Sequence, residues 1–325
     1  MKVNIAYSFD DNYAQHAGCS LISLLENNKD IEEIDIYIID AKIGKENKTK
    51  IIHIANKYGR HIDFLDLWEL TKEQDIEPRF PRCAYGRLFL AKLQHVDKIL
   101  YFDSDTIIMG SIKELAELNM TNYLTAGVQD TVNPYYVYQI GLSDEDRYIN
   151  DGGVIVLNLK KWREMNSMQA CLNFIRKFNG NPPHNDQGTI NAISKGYMKI
   201  LPPCYNVMNS YFMFPVNRII DLFKMKKFYS EEEINNAKNN PIVLHYTDEL
   251  YNRPWFSNCN HPYKEEYRQI LRTSPWEEKY KYKKPTKNCR IQNFIYNNFP
   301  YAVYKLMIRF IELKHRLREK GYVLF

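Results

Sequence analysis

Asp103-Ser104-Asp105 directly follows the apolar run Ile99-Leu100-Tyr101-Phe102. Carboxylates two residues apart leave the end of a strand in the same direction, so both can reach one cation. Hard divalent ions take oxygen ligands of this kind, and a diphosphate would supply more. A second apolar run, Ile242-Val243-Leu244, closes on His245. A neutral imidazole there is a third ligand, and two carboxylates with one imidazole suit Mn²⁺ better than Ca²⁺ and tolerate Mg²⁺. Arg253, in Arg253-Pro254-Trp255 just beyond, can pair bidentately with phosphate. Taken singly, an Asp-x-Asp is as often a solvated turn, and a histidine ending a strand is more often a structural hydrogen-bonder.

Two further groups lie where ligands of open α/β sheets bind. In the opening segment from Ala6 to Tyr13, Asp10, Asp11 and Asn12 come just after the first apolar run. They can read a base edge or a ribose hydroxyl, or cap the following helix, and capping is the default. Asp186 and Gln187, in Asn185-Asp186-Gln187, stand at a helix start, where Asp186 is by default a cap. Asp-x-Asp-x-Thr is also the signature of haloacid-dehalogenase-type phosphatases, with Asp103 as nucleophile and Asp105 as acid. That fold carries the motif on its first strand, whereas some 100 residues precede it here. Neither G-x-x-x-x-G-K nor G-x-G-x-x-G occurs, which removes P-loop ATPases and nicotinamide dehydrogenases.

The elements that must hold these side chains follow from periodicity. Strands are expected at 3–7, 34–39, 62–67, 98–102, 123–128, 153–159 and 242–245. Helices are expected at 14–25, 48–58, 85–93 and 169–178 and from near 187, with a polar loop through Asn133-Pro134-Tyr135-Tyr136. Strands alternating with helices imply an α/β fold, a largely parallel sheet with helices on both faces. Ligands of such sheets bind outside the carboxyl ends of the strands, where Asp103 and Asp105 fall. The 325 residues, 45% hydrophobic and 14% aromatic, suffice for a real core. Six scattered cysteines with no C-x-x-C pair argue against a zinc site and fit a reducing cytosol. The acidic opening does not read as a signal peptide, and no apolar run reaches spanning length.

In order and spacing these segments resemble glycosyltransferase family 8, the group of bacterial lipopolysaccharide galactosyl- and glucosyltransferases and glycogenin. The matching pieces are AYSFDDNYA, YGRL at 85–88, ILYFDSDTII, GGVIVLNLKKW, HNDQGTIN, and HY with RPW at 245–255. The resemblance implies a nucleotide-sugar-binding fold of the GT-A type and retention of anomeric configuration. A hexose, glucose or galactose, would pass from a UDP-sugar to a saccharide or lipid-linked glycan, with Mn²⁺ or Mg²⁺. It makes Asp103, Asp105 and His245 the metal ligands, with Ser104 between them in the donor site. Ala6, Asp10, Asn12 and Arg87 would meet the nucleoside or donor sugar. Asp186 and Gln187 would lie beside the anomeric carbon, and Asp130 and Asp151 near the donor hydroxyls or the acceptor. Two departures stand out. The segment from His245 to Trp255 is two residues longer than the family pattern, without its glycine and with Arg253 for its lysine. Asp151 stands where the family often has asparagine. A non-catalytic nucleotide-sugar binding protein is the third reading, and the intact ligand set argues against it.

The net charge of +5 is unevenly spread. Residues 279–325 hold 12 of the 44 Lys and Arg and 2 of the 39 Asp and Glu, a net +10 against −5 for residues 1–278. The expected organisation is therefore a catalytic domain over 1–278 and a basic, aromatic tail over 279–325. Within it, 303–320 forms a helix with Val303, Leu306, Met307, Phe310, Leu313 and Leu317 on one face and Lys305, Arg309, Arg316 and Lys320 largely opposite. A basic amphipathic helix suits peripheral attachment to an anionic membrane, with packing on protein as the alternative. The net-acidic body and the lack of a recognised motif argue against nucleic acid. The expected location is the cytoplasm, peripherally on the inner face of the membrane.

Overall fold

The computed structural model describes residues 1–72, 82–143, 145–248 and 250–319. Its strands are β1 (Lys2–Phe9), β2 (Glu33–Asp40), β3 (His61–Asp66), β4 (Lys98–Phe102), β5 (Thr106–Ile108), β6 (Thr125–Gln129), β7 (Ile149–Asn158), β8 (Met198–Leu201) and β9 (Val243–His245). Seven of them form one sheet in the order β3-β2-β1-β4-β7-β6-β8. Only β7 runs against its neighbours; every other pairing in this sheet is parallel. Helices cover both faces, so the central strands are buried throughout and read as apolar runs rather than alternating ones. This is the mixed, largely parallel α/β architecture expected from the sequence.

The second sheet is what assembles the site. β5 and β9 pair antiparallel, with Thr106 opposite His245. The backbone N–H of Tyr246 donates to the carbonyl of Asp105 at 2.9 Å. A ladder of three residues thus brings His245 beside the aspartate motif. The ladder is fixed from below by the helix Ala14–Asn27, whose buried hydroxyls stand in for backbone partners. Ser20 Oγ meets Thr106 Oγ1 at 2.9 Å and Tyr7 Oη at 3.1 Å, and Ser23 Oγ accepts from Ile108 N–H at 2.9 Å.

Two local expectations change. The helix expected at 85–93 is a short α-turn, Arg82–Tyr85, followed by a 3₁₀ segment, Gly86–Lys92. The loop expected at Asn133-Pro134-Tyr135-Tyr136 is instead the helix Pro134–Gln139. Asn133 caps it, its side chain accepting from Tyr135 N–H, and proline takes the first position, where a missing N–H costs nothing.

The C-terminal residues form two helices, Lys287–Asn298 and Tyr301–Glu319. The second docks on the body through Tyr301, Tyr304, Lys305 and Arg309. Tyr304 is buried in the main core, Lys305 Nζ meets Asp221 Oδ1 at 2.6 Å, and Arg309 donates to the Asp221 carbonyl at 2.9 Å. Farther along, Arg316 reaches Asn133 Oδ1 at 3.2 Å. Of the expected cationic face, Lys305, Arg309 and Arg316 therefore meet protein, and Lys320 lies outside the described residues. Most of the expected apolar face points outward, with Leu306 70%, Phe310 64% and Leu313 52% exposed. Among the described residues, no helix is long and apolar enough to cross a membrane.

Candidate active site

Asp103 follows the end of β4 and Asp105 precedes β5, with buried Ser104 forming the turn between them. One ligand atom each from Asp103, Asp105 and His245 lies within 4.8 Å of the others. His245 Nδ1 faces Asn206 Oδ1 at 3.1 Å, an atom that can only accept, so Nδ1 carries a proton and Nε2 is the nitrogen a cation would meet. Burial disfavours the charged ring, but Asp105 beside it outweighs that and raises the imidazole pKa. That Nε2 lies 3.5 Å from Asp105 Oδ1, on the side of the carboxylates. Asn206 is oriented in turn by donating to Asn150 Oδ1 at 3.0 Å. Two glycines make room for this packing. A Cβ on Gly153 would stand 2.2 Å from the Asn206 side chain, and one on Gly152 would stand 2.9 Å from His245 Cε1. Two oxygens and one nitrogen oriented in this way fit a divalent cation.

Arg87 is the hub of the neighbouring cluster. Fully enclosed above the Tyr101 ring, it reaches Asp103 Oδ1 at 3.2 Å, Asp186 Oδ2 at 3.2 Å and Asp151 Oδ2 at 3.5 Å. It also donates to the Asp151 carbonyl at 2.5 Å. One guanidinium cannot neutralise three carboxylates. Burial, reinforced by carboxylate neighbours and only partly offset by Arg87, raises Asp103 and Asp186 to about 6 and Asp151 to about 7. Asp151 Oδ2 has no hydrogen-bond donor within the described chain. Asp105 behaves in the opposite way. Burial pushes it up too, but the His245 imidazole and the Arg253 guanidinium outweigh that and hold it well below the usual range. The excess of buried carboxylate is a demand for positive charge, which supports the fit to a cation.

The remaining expected residues separate. Gln187 donates to Asp130 Oδ2 at 2.6 Å, and Asp130 is oriented by Thr131 N–H at 2.7 Å. Asp186 is not a helix cap. His184, at φ 54°, precedes the helix Asn185–Ile193, and the Asp186 carboxylate turns to Arg87 instead. Asp10 does cap, accepting from Asn12 and Tyr13 N–H at 3.1 and 3.3 Å, while Asn12 donates back to it at 3.2 Å. Ala6 is wholly buried within β1, paired with β2 and β4. Arg253 holds Asp105 Oδ2 at 2.8 Å and Tyr13 Oη at 2.8 Å, which spans the aspartate motif and the opening segment. Asn206 carries no signal in the sequence, since a lone asparagine makes no motif, and Asn150, within Asn150-Asp151-Gly152-Gly153, is not marked there as an anchor; proximity to His245 reveals both roles.

An open α/β sheet with acidic and imidazole ligands at its carboxyl edge and a crossing antiparallel strand is the GT-A architecture. The chain belongs to glycosyltransferase family 8, whose model, "Glycosyl transferase family 8", matches residues 4–259. It is 32% identical over 271 residues to a "Putative glycosyltransferase" of Haemophilus influenzae, covering 80% of this chain and 74% of that one. It is 27% identical over 297 residues to the "Lipopolysaccharide 1,2-glucosyltransferase" of Escherichia coli K12, covering 85% and 79%. In fold it matches the galactosyltransferase LgtC, solved in complex with donor and acceptor sugar analogues. The TM-score is 0.68 at 21% identity, over 85% of this chain and 97% of that one. Family membership closes the phosphatase reading, and the match ends before the two C-terminal helices.

Proposed function

We propose that the protein transfers a hexose, glucose or galactose, from a UDP-sugar to a hydroxyl of a saccharide or lipid-linked glycan, with metal dependence and retention. The observation that carries this is the Asp103–Asp105–His245 cluster standing directly against the Arg87–Asp186 pair within a family 8 chain. A Mn²⁺ or Mg²⁺ ion held by those three ligands would supply the Lewis acid for the leaving diphosphate. Arg253, which pairs with Asp105, would meet the diphosphate. Gln187 gives its amide N–H to Asp130, which leaves its carbonyl oxygen as an acceptor for charge developing at the anomeric carbon. Asp186, locked by Arg87, adds negative potential there, and Asp151 offers its unfilled Oδ2 to a sugar hydroxyl. The lipopolysaccharide glucosyltransferase among the relatives supports a hexose donor and a glycan acceptor. The outward apolar stripe and the tail's net +10 support contact with an anionic membrane from the cytoplasmic side.

UDP release from UDP-glucose and UDP-galactose, with and without Mn²⁺, tests the reading. Asp103→Asn or Asp105→Asn should abolish metal-dependent release in a folded protein, and undiminished release from either would overturn the site. The anomeric proton of the product should keep the α configuration of the donor in NMR. A β-linked product would refute retention.

A further inference from the structure

Where the C-terminal helices meet the body lies a pocket of about 420 Å³. Met213, Leu222 and Phe223 of the body form one wall, and Tyr304 and Ile308 of the terminal helix form another. Phe214 in its lining is ringed by Tyr296, Tyr301 and Tyr304, with centroids 5.4, 5.9 and 5.5 Å away. The Phe214 ring is packed among these three tyrosines, and with Met213, Leu222, Phe223 and Ile308 the walls offer mainly hydrocarbon contact. The pocket also adjoins the reaction cluster. Ser210 in its lining lies 3.3 Å from the hydroxyl of Thr131, the residue after Asp130, which holds Gln187. Asp248, also in the lining, sits three residues beyond His245. The outer wall belongs to the same helix pair that turns Leu306 and Phe310 outward, so the pocket lies between the Ser210–Thr131 contact and an exposed apolar stripe.

We propose that this pocket binds the hydrocarbon portion of an amphipathic glycosyl acceptor whose sugar end lies at Asp130 and Gln187. The proposal rests on the transferase reading, so its test needs a readout other than turnover. Cys289 provides one: it lines the pocket and is exposed, whereas the other five cysteines are buried or half-buried. Alkyl glycosides below their micelle concentration should slow the reaction of Cys289 with a maleimide, followed by mass spectrometry. An octyl glycoside should protect with an apparent Kd at least about tenfold below that of the methyl glycoside. Ile308→Trp, which fills the pocket, should erase that difference. Ile308→Ala, which enlarges it, should move the tightest binding to a longer chain. In transfer assays the octyl acceptor should lower KM with little change in kcat. Equal protection by the two glycosides, or an unchanged preference in both Ile308 variants, overturns the proposal, and so does 1-octanol protecting as well as the octyl glycoside. Octyl-selective protection without any UDP-sugar turnover would uphold the hydrocarbon site while overturning the transferase reading.

Discussion

Asn206 decides which nitrogen of His245 faces the carboxylates. Its Oδ1 accepts from Nδ1, and without that anchor the ring can flip or change tautomer. Asn206→Leu, nearly isosteric, should therefore keep the fold yet weaken Mn²⁺ binding in the presence of UDP by about 10- to 100-fold, read by calorimetry. Unchanged affinity would show that the ring is held by something else. Asp186→Ala makes a complementary case, because its carboxylate serves Arg87 rather than a helix end. Turnover should fall far more than UDP affinity; normal turnover per folded molecule with lost stability would leave only a structural role. Away from the site, His261 is buried among aromatic rings, and burial lowers its pKa to about 4. Its Nδ1 accepts from Tyr263 N–H at 3.0 Å, which requires the neutral ring. The unfolded chain takes up this proton near pH 6.5 while the native state refuses it, so the His261 contribution to stability falls as pH drops below that value, opposite in sign to that of the raised Asp103, Asp151 and Asp186. Between pH 7 and 5 the loss is about 2 kcal/mol. His261→Phe should flatten that part of the urea-denaturation profile, and an identical slope would remove His261 as its source. At this scale the candidate metal ligands were legible because Asp103 and His245 each close an apolar run and Asp105 follows two residues on. The anchor Asn206 was not, because nothing local distinguishes it from any polar loop residue.

β5 shows why elements were less evenly legible than ligands. Three residues are too few to display a period, so Thr106–Ile108 was read as a continuation of the motif rather than as a strand. Its partner β9 was recognised by its apolar run, but the pairing that joins residues 106 and 245 is a tertiary fact. The helix Pro134–Gln139 did carry a signal, asparagine followed by proline, which tyrosine-rich polarity obscured. The long strands and the helix Ala14–Asn27 were clear because burial on one or both faces imposes a pattern over many residues. β7 is a case where element and site share one constraint. Gly153 lies on it, opposite no room at all: an added Cβ would meet Asn206 at 2.2 Å. Gly153→Ala should cost about 1–3 kcal/mol by overpacking and also displace the anchor of His245. The denaturation midpoint and the Mn²⁺ affinity should therefore fall together. A stable variant with intact metal binding would mean that the strand yields at little cost.

At the scale of the whole molecule, the sequence announced a basic amphipathic tail but not which face would meet the body. Two stripes were available on the terminal helix. One, Tyr301, Tyr304 and Ile308, carries aromatic surface with the Lys305 and Arg309 cations beside it; the other, Val303, Leu306, Phe310 and Leu313, is purely apolar. The first won because the body offers Asp221, which takes Lys305 on its carboxylate and Arg309 on its carbonyl, and a core edge that buries Tyr304. Charge complementarity between an acidic-leaning body and a basic tail favours that choice, and it leaves the apolar stripe in solvent. Packing on protein and attachment to a membrane, alternatives in the sequence, become compatible in the structure. They also become separable by mutation. Leu306→Ser with Phe310→Ser removes exposed apolar surface that touches little, so the denaturation midpoint should stay within about 0.5 kcal/mol of the parent. Sedimentation with anionic vesicles at low salt should nevertheless be lost, since cations alone hold weakly once the apolar face is gone. Ending the chain at residue 278 should do something different. It strips Tyr304 and its neighbours from the core edge and should lower stability by about 2–5 kcal/mol, as large losses of buried side chains do. A truncated protein as stable as the parent would show that the docked face contributes nothing. A double variant that still sediments would assign the membrane contact to the basic segment 279–290 instead.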